Sequence, residues 1–212
     1  MAYFTTATLC RILARSPNRI HRWALILLAT AGTLSTLVAP AASAHRRHGR
    51  PVSGCVGDNV RISAAPRAEL KSAVVCLINV RRRLRGLPAL HESTRLDRSA
   101  QGWTNAMVHL HDFTHGADFA ARISAVGFRW SDAGENIAAG FRTPASVVRA
   151  WMASPGHCRN ILSPVFIDVG TGVHLSARSG SGGAGTWTQD FGLPMGARRP
   201  PGNAGPANGC PY

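Results

Sequence analysis

Three short segments of the chain carry residue types that can bind a metal ion or move a proton. They are HLHDFTH at 109–115, GENIA at 134–138 and WMASPGHCRNIL at 151–162. Imidazole and carboxylate groups are common zinc ligands and general bases. His111 and His115 have the four-residue spacing of a helical zinc pair, but no glutamate follows His111 as a metallopeptidase helix requires. Each segment alone is therefore a weak signal. We expect His109 and His111 at a solvent-exposed helix end.

Apolar residues at helical spacing predict two long helices before the second segment. The first begins at Pro66, a proline suited to a first helical turn, and ends at Gly86. The second begins at Ser93 or Thr94, either of which can cap it. Its predicted buried stripe consists of Leu96, Ala100, Trp103, Met107 and Leu110.

Shorter elements follow these two helices. A third helix is predicted over 118–126, ended by Gly127, and the segment with Glu135 is expected in the loop after it. Thr143-Pro144 is typical of a cap followed by a first-turn proline, and it opens a fourth helix through Trp151. A short helical turn is predicted near 155–162.

The last third of the chain has a strand pattern instead. Residues 169–177 and 186–191 are predicted strands, and the glycine-rich run at 179–185 is the predicted loop of a hairpin. Residues 194–212 show no periodic pattern. Helices followed by strands indicate an α+β layered domain and not a βαβ fold.

The N-terminal residues have the three parts of an export signal. Residues 1–22 contain four arginines and no acid, 23–39 form an unbroken apolar run, and Ala42-Ser43-Ala44 is a small-residue cleavage site. We expect cleavage near Ala44 and a secreted, extracellular or envelope location, the alternative being a retained membrane anchor. The predicted parts are a signal peptide at 1–44, an N-terminal arm at 45–65, a domain at 66–193 and a tail at 194–212.

The number of cysteines is consistent with export to an oxidising compartment. Cleavage removes Cys10 and leaves an even set, which is Cys55, Cys76, Cys158 and Cys210. Four cysteines allow three pairings, and spacing alone does not choose between them. Order along the chain favours Cys55–Cys76 and Cys158–Cys210, the second of which would tether the tail. Free thiols or a Cys-His metal site are the alternatives, although the chain has no C-x-x-C pair.

The formal charge is +14 for the whole chain and +10 without the four leader arginines, and every basic residue of the remainder except Lys71 is arginine. A basic balance suits an anionic envelope surface or nucleic acid. Nucleic acid is the weaker option because the basic residues are scattered and no binding motif occurs. The densest cluster, at 81–85, precedes Gly86, and we expect a solvated helix end there. A monomer is expected.

Six blocks of sequence occur in an order that carries a family resemblance. They are IN at 78–79 with Arg82 and GLPAL at 86–90; F-x-H at 113–115; GENIA at 134–138; WM-x-S-x-GH at 151–157 with NIL at 160–162; G-x-G at 170–172; and WTQDFG at 187–192. With these blocks the chain resembles the CAP superfamily of cysteine-rich secretory, antigen 5 and pathogenesis-related proteins, in particular its bacterial SCP-like extracellular branch. The resemblance covers about residues 71–192.

The resemblance implies an α-β-α sandwich, with an antiparallel sheet between helical layers, and a large open cleft. Many family members line this cleft with two His and two Glu. By motif, the counterparts here are His115, His157 and Glu135, while Ser154 stands where the family has the second Glu. The implied metal ligands are therefore His115, His157 and Glu135, and the implied cleft residues also include Ser154, Asn136 and Gln189. Asp190 is a further partner that could orient an imidazole ring.

Such a cluster would bind Zn²⁺ or another divalent cation weakly, because serine is a poor ligand and a carboxylate is missing. Binding would fail as the histidines protonate near their ordinary pKa of about 6.5. The alternative is a purely structural network of buried polar groups that fastens loops and layers.

Three functions follow as hypotheses. The first is a secreted, non-enzymatic binding module for a lipid-like or sterol-like ligand, a divalent metal, or both, in the cleft. The second is a metal-dependent hydrolase in which Glu135 activates a metal-bound water; no nucleophile with a base and an orienting partner supports it. The third is a structural envelope protein with a vestigial site.

Overall fold

A computed structural model describes residues 54–176, 184–198 and 210, which belong to one compact unit. The predicted leader and most of the tail lie outside the described residues, as does most of the predicted hairpin loop. The elements in chain order are α1 (Arg67–Arg83), β1 (His91–Glu92), α2 (Thr94–His109), α3 (Phe119–Ala125), β2 (Trp130–Phe141), α4 (Pro144–Ala153), α5 (Pro155–Ile161), β3 (Asp168–His174) and β4 (Gly185–Pro194).

The four described strands form one sheet in the order β1-β3-β4-β2. β4 pairs antiparallel with both β3 and β2, which confirms the predicted hairpin, whereas β1 pairs parallel with β3. The predicted antiparallel sheet is therefore present, with a two-residue parallel pair added at one edge. The chain enters β1 after the turn at Gly86 and leaves directly into α2, so two residues suffice to add a parallel strand.

Alternation along β4 separates the two faces of the sheet. Trp187 and Phe191 face the main core with α1, α4 and α5, whereas Thr188 faces α2, where its hydroxyl oxygen lies 2.8 Å from Thr104 Oγ1. Helices α2 and α3 cover this second face, and a smaller apolar cluster of Leu96, Ile123 and Phe128 lies there. The α-β-α sandwich is thus the observed architecture.

Two glycines of β3 let α2 lie directly on the sheet. A Cβ atom added to Gly170 would come within 2.1 Å of the backbone carbon of Leu96, and one added to Gly172 within 2.4 Å of the carbonyl oxygen of Ala100. The G-x-G block is therefore a packing requirement, because any side chain would push α2 away.

The helix caps predicted at Ser93 and Thr143 are present. The Ser93 hydroxyl accepts from the backbone N–H of Leu96, and Thr143 forms a reciprocal capping box with Ser146. α2 ends without glycine: His111 adopts φ 54°, and the backbone N–H of Asp112 donates to the carbonyl of Met107. His111 therefore terminates the helix in the left-handed conformation that usually selects glycine.

Both predicted disulfides are present, Cys55–Cys76 and Cys158–Cys210. The described part of the predicted arm belongs to the fold, since Cys55 and Ile62 are both buried in the main core. The domain therefore begins before residue 66, because an isoleucine and a disulfide pack the arm against α1.

Three local expectations are wrong. Glu135 lies on strand β2 and not in a loop, because pairing with β4 extends the whole segment. Leu110 is 65% exposed, since α2 ends before its side chain can reach the core.

The third concerns Arg82, which is fully buried and not solvated. Its guanidinium donates to the carbonyls of Pro88, Ile161 and Ser163, at 2.8, 2.9 and 2.7 Å. Burial lowers the pKa of Arg82 to about 10. The arginine thus fastens the end of α1 to the connector before β1 and to the segment after α5, and its place in the IN–R–GLPAL block is structural.

Candidate functional site

The predicted site forms where β2, the edge strand of the described sheet, lies between the two helical layers. His115, in the loop between α2 and α3, places Nδ1 2.8 Å from Glu135 Oε1. An ionised carboxylate only accepts hydrogen bonds, so Nδ1 carries the proton and a neutral ring has its lone pair on Nε2. The His115 side chain is 49% exposed and that of Glu135 only 1%. The imidazole is therefore the accessible member of this pair.

Arg122, on α3, holds the second oxygen of Glu135. Its Nη2 donates to Glu135 Oε2 at 2.6 Å, and its Nη1 donates to the backbone carbonyl of His115 at 3.0 Å. The guanidinium also lies over the ring of Trp103, 3.9 Å from its centroid. Both oxygens of Glu135 are thus engaged by this chain's own residues.

The loop that presents His115 is packed tightly against this arginine. Trp103, on α2, donates its indole N–H to the carbonyl of Thr114 at 3.0 Å. Gly116 has φ +69°, and an added Cβ would lie 2.9 Å from the Trp103 ring and 3.1 Å from Arg122 Nη1. The turn therefore needs glycine for its backbone conformation as well as for space.

Asp190, on β4, lies beneath Glu135 as its register partner across the β2–β4 ladder. Its side-chain oxygens have no hydrogen-bond partner among the described residues, and the residue is 1% exposed. Burial, and secondarily the negative charge of Glu135, raise the pKa of Asp190 well above its ordinary value. Glu135 is thus paired with Arg122, whereas Asp190 has no such partner and is biased towards its protonated form.

His157, on α5, approaches the cleft from the other helical layer. Burial lowers the pKa of His157, and the nearby His115 lowers it further. The ring is therefore biased towards the neutral form that can accept a hydrogen bond or ligate a metal. His115 contacts Glu135 and lies near enough to His157 to lower its pKa, so the structure brings the three residues to one region.

Asn136 and Gln189 do not line the cleft, because both are fully buried. Asn136 donates to the carbonyl of His157 and to Gln189 Oε1, each at 3.3 Å, and Asn160 donates to Asn136 Oδ1 at 2.9 Å. This network fastens α5 to β2 and so positions His157. The expectation of ligand contact at Asn136 and Gln189 is replaced by a positioning role.

Ser154 lies at the junction of α4 and α5. Its backbone ends one helix and caps the next, and its side chain makes no capping hydrogen bond. It is half-buried and supplies a hydroxyl in the place of the family's second carboxylate.

The three-ligand metal site does not fit this arrangement. Glu135 has no oxygen free, and within residues 54–176, 184–198 and 210 no group of three His, Cys, Asp or Glu is arranged to hold a metal ion. The remaining donors are the two imidazoles, with Glu135 acting as the carboxylate that orients His115. Metal binding at His115 and His157 stays a prediction.

A second concavity lies between α1 and α4. This pocket of about 340 Å³ has an apolar part formed by Leu77, Val80, Leu84 and Val148. Arg81 and Arg149 also line it, as do Asp58, Asn59 and Ala145. The sequence does not single this pocket out, because Leu77 and Leu84 fit the apolar stripe of the first helix and Arg81 fits a solvated helix end.

Sequence reasoning missed Arg122, Trp103 and the carboxyl pair at the cleft. A single arginine in a short helix carries no motif, and Trp103 matched the pattern of a core stripe. Asp190 was considered only as an orienting partner of a histidine. Only the fold brings these residues together.

No helix in the part of the chain that the structure describes is long and apolar enough to cross a membrane.

Sequence comparison identifies relatives for more than half of the chain. The model of the cysteine-rich secretory protein family, CAP, matches residues 75–191. The uncharacterized protein YkwD of Bacillus subtilis (strain 168) is 39% identical over 123 residues, which are 56% of this chain and 45% of that protein. The chain thus spans less than half the length of this relative.

Solved structures show the same fold at low sequence identity. An extracellular protein containing an SCP domain from Bacillus anthracis has a TM-score of 0.53 at 23% identity, over 60% of this chain and 44% of that one. An outer surface protein of Borrelia burgdorferi has a TM-score of 0.50 at 20% identity, over 56% and 87%. A cysteine-rich secretory protein of Staphylococcus aureus has a TM-score of 0.50 at 17% identity, over 58% and 38%.

Proposed function

The chain belongs to the CAP family of cysteine-rich secretory proteins, and we propose that it is an exported, non-enzymatic binding protein for a lipid-like ligand with an anionic head group. The observation that carries the proposal is the pocket between α1 and α4, where an apolar lining meets two arginines. The cleft at β2 is a second site, for which weak divalent-metal binding by His115 and His157 is the proposed role.

The α1–α4 pocket suits an amphiphile in size and composition. Its volume of about 340 Å³ lies at the lower end of ligand pockets, which begin at roughly 300 Å³. Each methylene group buried from water contributes about 0.8 kcal/mol, so an acyl segment of roughly eight carbons would gain about 6 kcal/mol. Arg149 is exposed on α4 at the rim of this pocket, so a carboxylate or phosphate head could be held there.

The cleft supports binding better than catalysis. Glu135, the candidate general base, is buried and presents no free oxygen to the cleft, since His115 and Arg122 engage both oxygens. Asp190 is buried beneath it, and its raised pKa keeps it protonated over a wider pH range. Turnover on peptide, ester or glycan substrates that disappears in Glu135→Gln would overturn the non-enzymatic assignment.

Export is supported by independent features. The sequence begins with a predicted leader, both disulfides of the described residues suit an oxidising compartment, and structural relatives are described as extracellular or outer surface proteins. The excess of arginine suits an anionic envelope surface, where an exported lipid-binding protein would meet its ligand. A purely structural envelope protein is the competing function, and it predicts an empty pocket.

Ligand binding is tested with a fluorescent fatty acid and purified protein without its leader. Ala145 lines the pocket, so Ala145→Trp should fill it and weaken binding at least tenfold. The matched control is Ala153→Trp, at an exposed position on the same helix, which should bind like the unmodified protein. Equal binding by both variants and the unmodified protein, or no binding by any of them, would contradict the pocket assignment.

A further inference from the structure

Arg122 occupies the position on the Glu135 carboxylate that a bound cation would take. We propose that Arg122 determines which ligands the cleft accepts: it serves as the built-in counterion of Glu135 and keeps oxygen-seeking divalent cations out of the site. The proposal concerns the cleft alone and is independent of lipid binding in the α1–α4 pocket.

Three contacts fix the guanidinium in this role. It donates to Glu135 Oε2 at 2.6 Å and to the carbonyl of His115 at 3.0 Å, and it stacks 3.9 Å above the Trp103 ring. A cation that competed for Glu135 would have to displace the arginine from all of these partners together. The planar, permanently charged fork of arginine suits such a fixed arrangement better than a mobile lysine.

Burial makes the exclusion strong. The Glu135 side chain is 1% exposed, and its other oxygen accepts from His115. The carboxylate therefore has neither a free oxygen nor access to the cleft. Ser154 stands in place of a second carboxylate and Asp190 is 1% exposed, so no accessible acidic side chain among those identified at the cleft remains to attract a cation.

Because Glu135 is occupied by Arg122, the cleft can bind only certain classes of metal ion. Carboxylate ligands favour Mg²⁺, Ca²⁺ and Mn²⁺, whereas imidazoles favour Ni²⁺, Cu²⁺ and Zn²⁺. With only His115 and His157 available, the cleft accepts ions of the second class or an uncharged group that donates a hydrogen bond to an imidazole.

The test compares Mn²⁺ with Ni²⁺, using the free-Mn²⁺ electron paramagnetic resonance signal and calorimetry at neutral pH. The unmodified protein should leave Mn²⁺ free, and any Ni²⁺ binding should be weakened by His115→Ala. Mn²⁺ binding by the unmodified protein that is lost in Glu135→Gln would overturn the proposal. This comparison needs no change at Arg122, so it decides the question even if an Arg122 variant fails to fold.

Removing the arginine's charge should create a cation site. Arg122→Met retains an unbranched apolar side chain beside Trp103 and frees Glu135 Oε2, so its affinity for Mn²⁺ should exceed that of the unmodified protein at least tenfold. The gain should vanish in the double variant Arg122→Met/Glu135→Gln. Arg98→Met, which removes an exposed arginine from α2, controls for net charge and should show no gain. A folded Arg122→Met protein without Mn²⁺ binding would contradict the proposal.

Discussion

At the residue scale, the two carboxyl groups at the cleft differ in their surroundings. Glu135 is ionised and paired with Arg122, whereas Asp190 next to it has a raised pKa because burial and the charge of Glu135 oppose ionisation. Ionisation of two adjacent buried carboxyl groups at once is energetically unfavourable. The site therefore uses Glu135 to orient His115, whereas Asp190 is biased towards its protonated form.

Replacing Asp190 with asparagine should stabilise the protein at neutral pH. A folded carboxyl with a raised pKa binds its proton where the unfolded chain has lost it, so its presence lowers the free energy of unfolding as pH rises above about 4. The introduced amide is neutral at every pH, so it removes the unfavourable ionisation of a buried group. We expect Asp190→Asn to raise the urea midpoint at pH 7 and to lose this advantage as the pH falls towards 4.

Asp112→Asn is the control for that experiment, since Asp112 is exposed after α2. Its urea midpoint should correspond to a change within about 0.5 kcal/mol at either pH. A lower midpoint for Asp190→Asn at pH 7 would mean that the buried carboxyl is ionised and paired.

Arg82 gives a second residue-scale prediction, because it donates to three backbone carbonyls on two separate segments. Arg82→Met would leave the carbonyls of Pro88, Ile161 and Ser163 without their donor, and each unsatisfied buried acceptor costs about 1–3 kcal/mol. We expect a loss of about 3 kcal/mol or more in the free energy of unfolding. Arg83→Met, at the exposed neighbouring position, should change it by less than about 0.5 kcal/mol, and similar losses in the two variants would contradict the account.

At the element scale, the close packing of α2 on β3 is the most restrictive feature of the fold. Gly170→Ala would place a methyl group within 2.1–2.2 Å of the backbone of Leu96 and Asp97, which cannot move without lifting the helix. We expect this substitution to cost about 3 kcal/mol or more, as overpacking against backbone does at its upper end. Thermal unfolding followed by circular dichroism measures the loss.

Gly102→Ala should have the opposite sign. Gly102 lies within α2, and an added Cβ meets nothing within 4 Å. Alanine is favoured over glycine in a helix interior by about 1 kcal/mol, so this variant should melt at a higher temperature. A Gly170→Ala protein as stable as Gly102→Ala would show that α2 is not seated on β3 as described.

Sequence pattern was sufficient where local chemistry decides the element. Ser93, Thr143 and Gly127 mark helix ends that the structure confirms. The pattern failed for β2, whose residues 138–140 are Ala-Ala-Gly and have little preference for a strand, because pairing with β4 supplies the stability. Arg122 could not be assigned either, since its role depends on a glutamate thirteen residues away and on a ring from another helix.

At the scale of the whole molecule, disulfides tie both ends of the described chain to the core. Cys158–Cys210 closes a loop of 52 residues, which by the chain-entropy estimate contributes about 4 kcal/mol. The Cys158→Ser/Cys210→Ser variant should therefore have a free energy of unfolding lower by about 2–4 kcal/mol in urea. An unchanged value would mean that the tail adds nothing to the stability of the domain.

The predicted leader, the positive charge and the α1–α4 pocket together support the proposal of an exported lipid-binding protein. The two arginines of the pocket belong to a chain whose formal charge is +10 without the four leader arginines, so the proposed anionic amphiphile would be attracted from a distance as well as held locally. The cleft at β2 contributes a separate, polar site whose ligand preference depends on Arg122.

The most direct test of the proposed lipid binding is native mass spectrometry of the unreduced protein, expressed with its leader and collected as secreted. We predict a mature chain cut near Ala44, two disulfides, and a bound anionic lipid that is lost in Ala145→Trp and kept in Ala153→Trp. A protein that leaves the cell without lipid, and that takes up none when fatty acid is offered, would contradict the account.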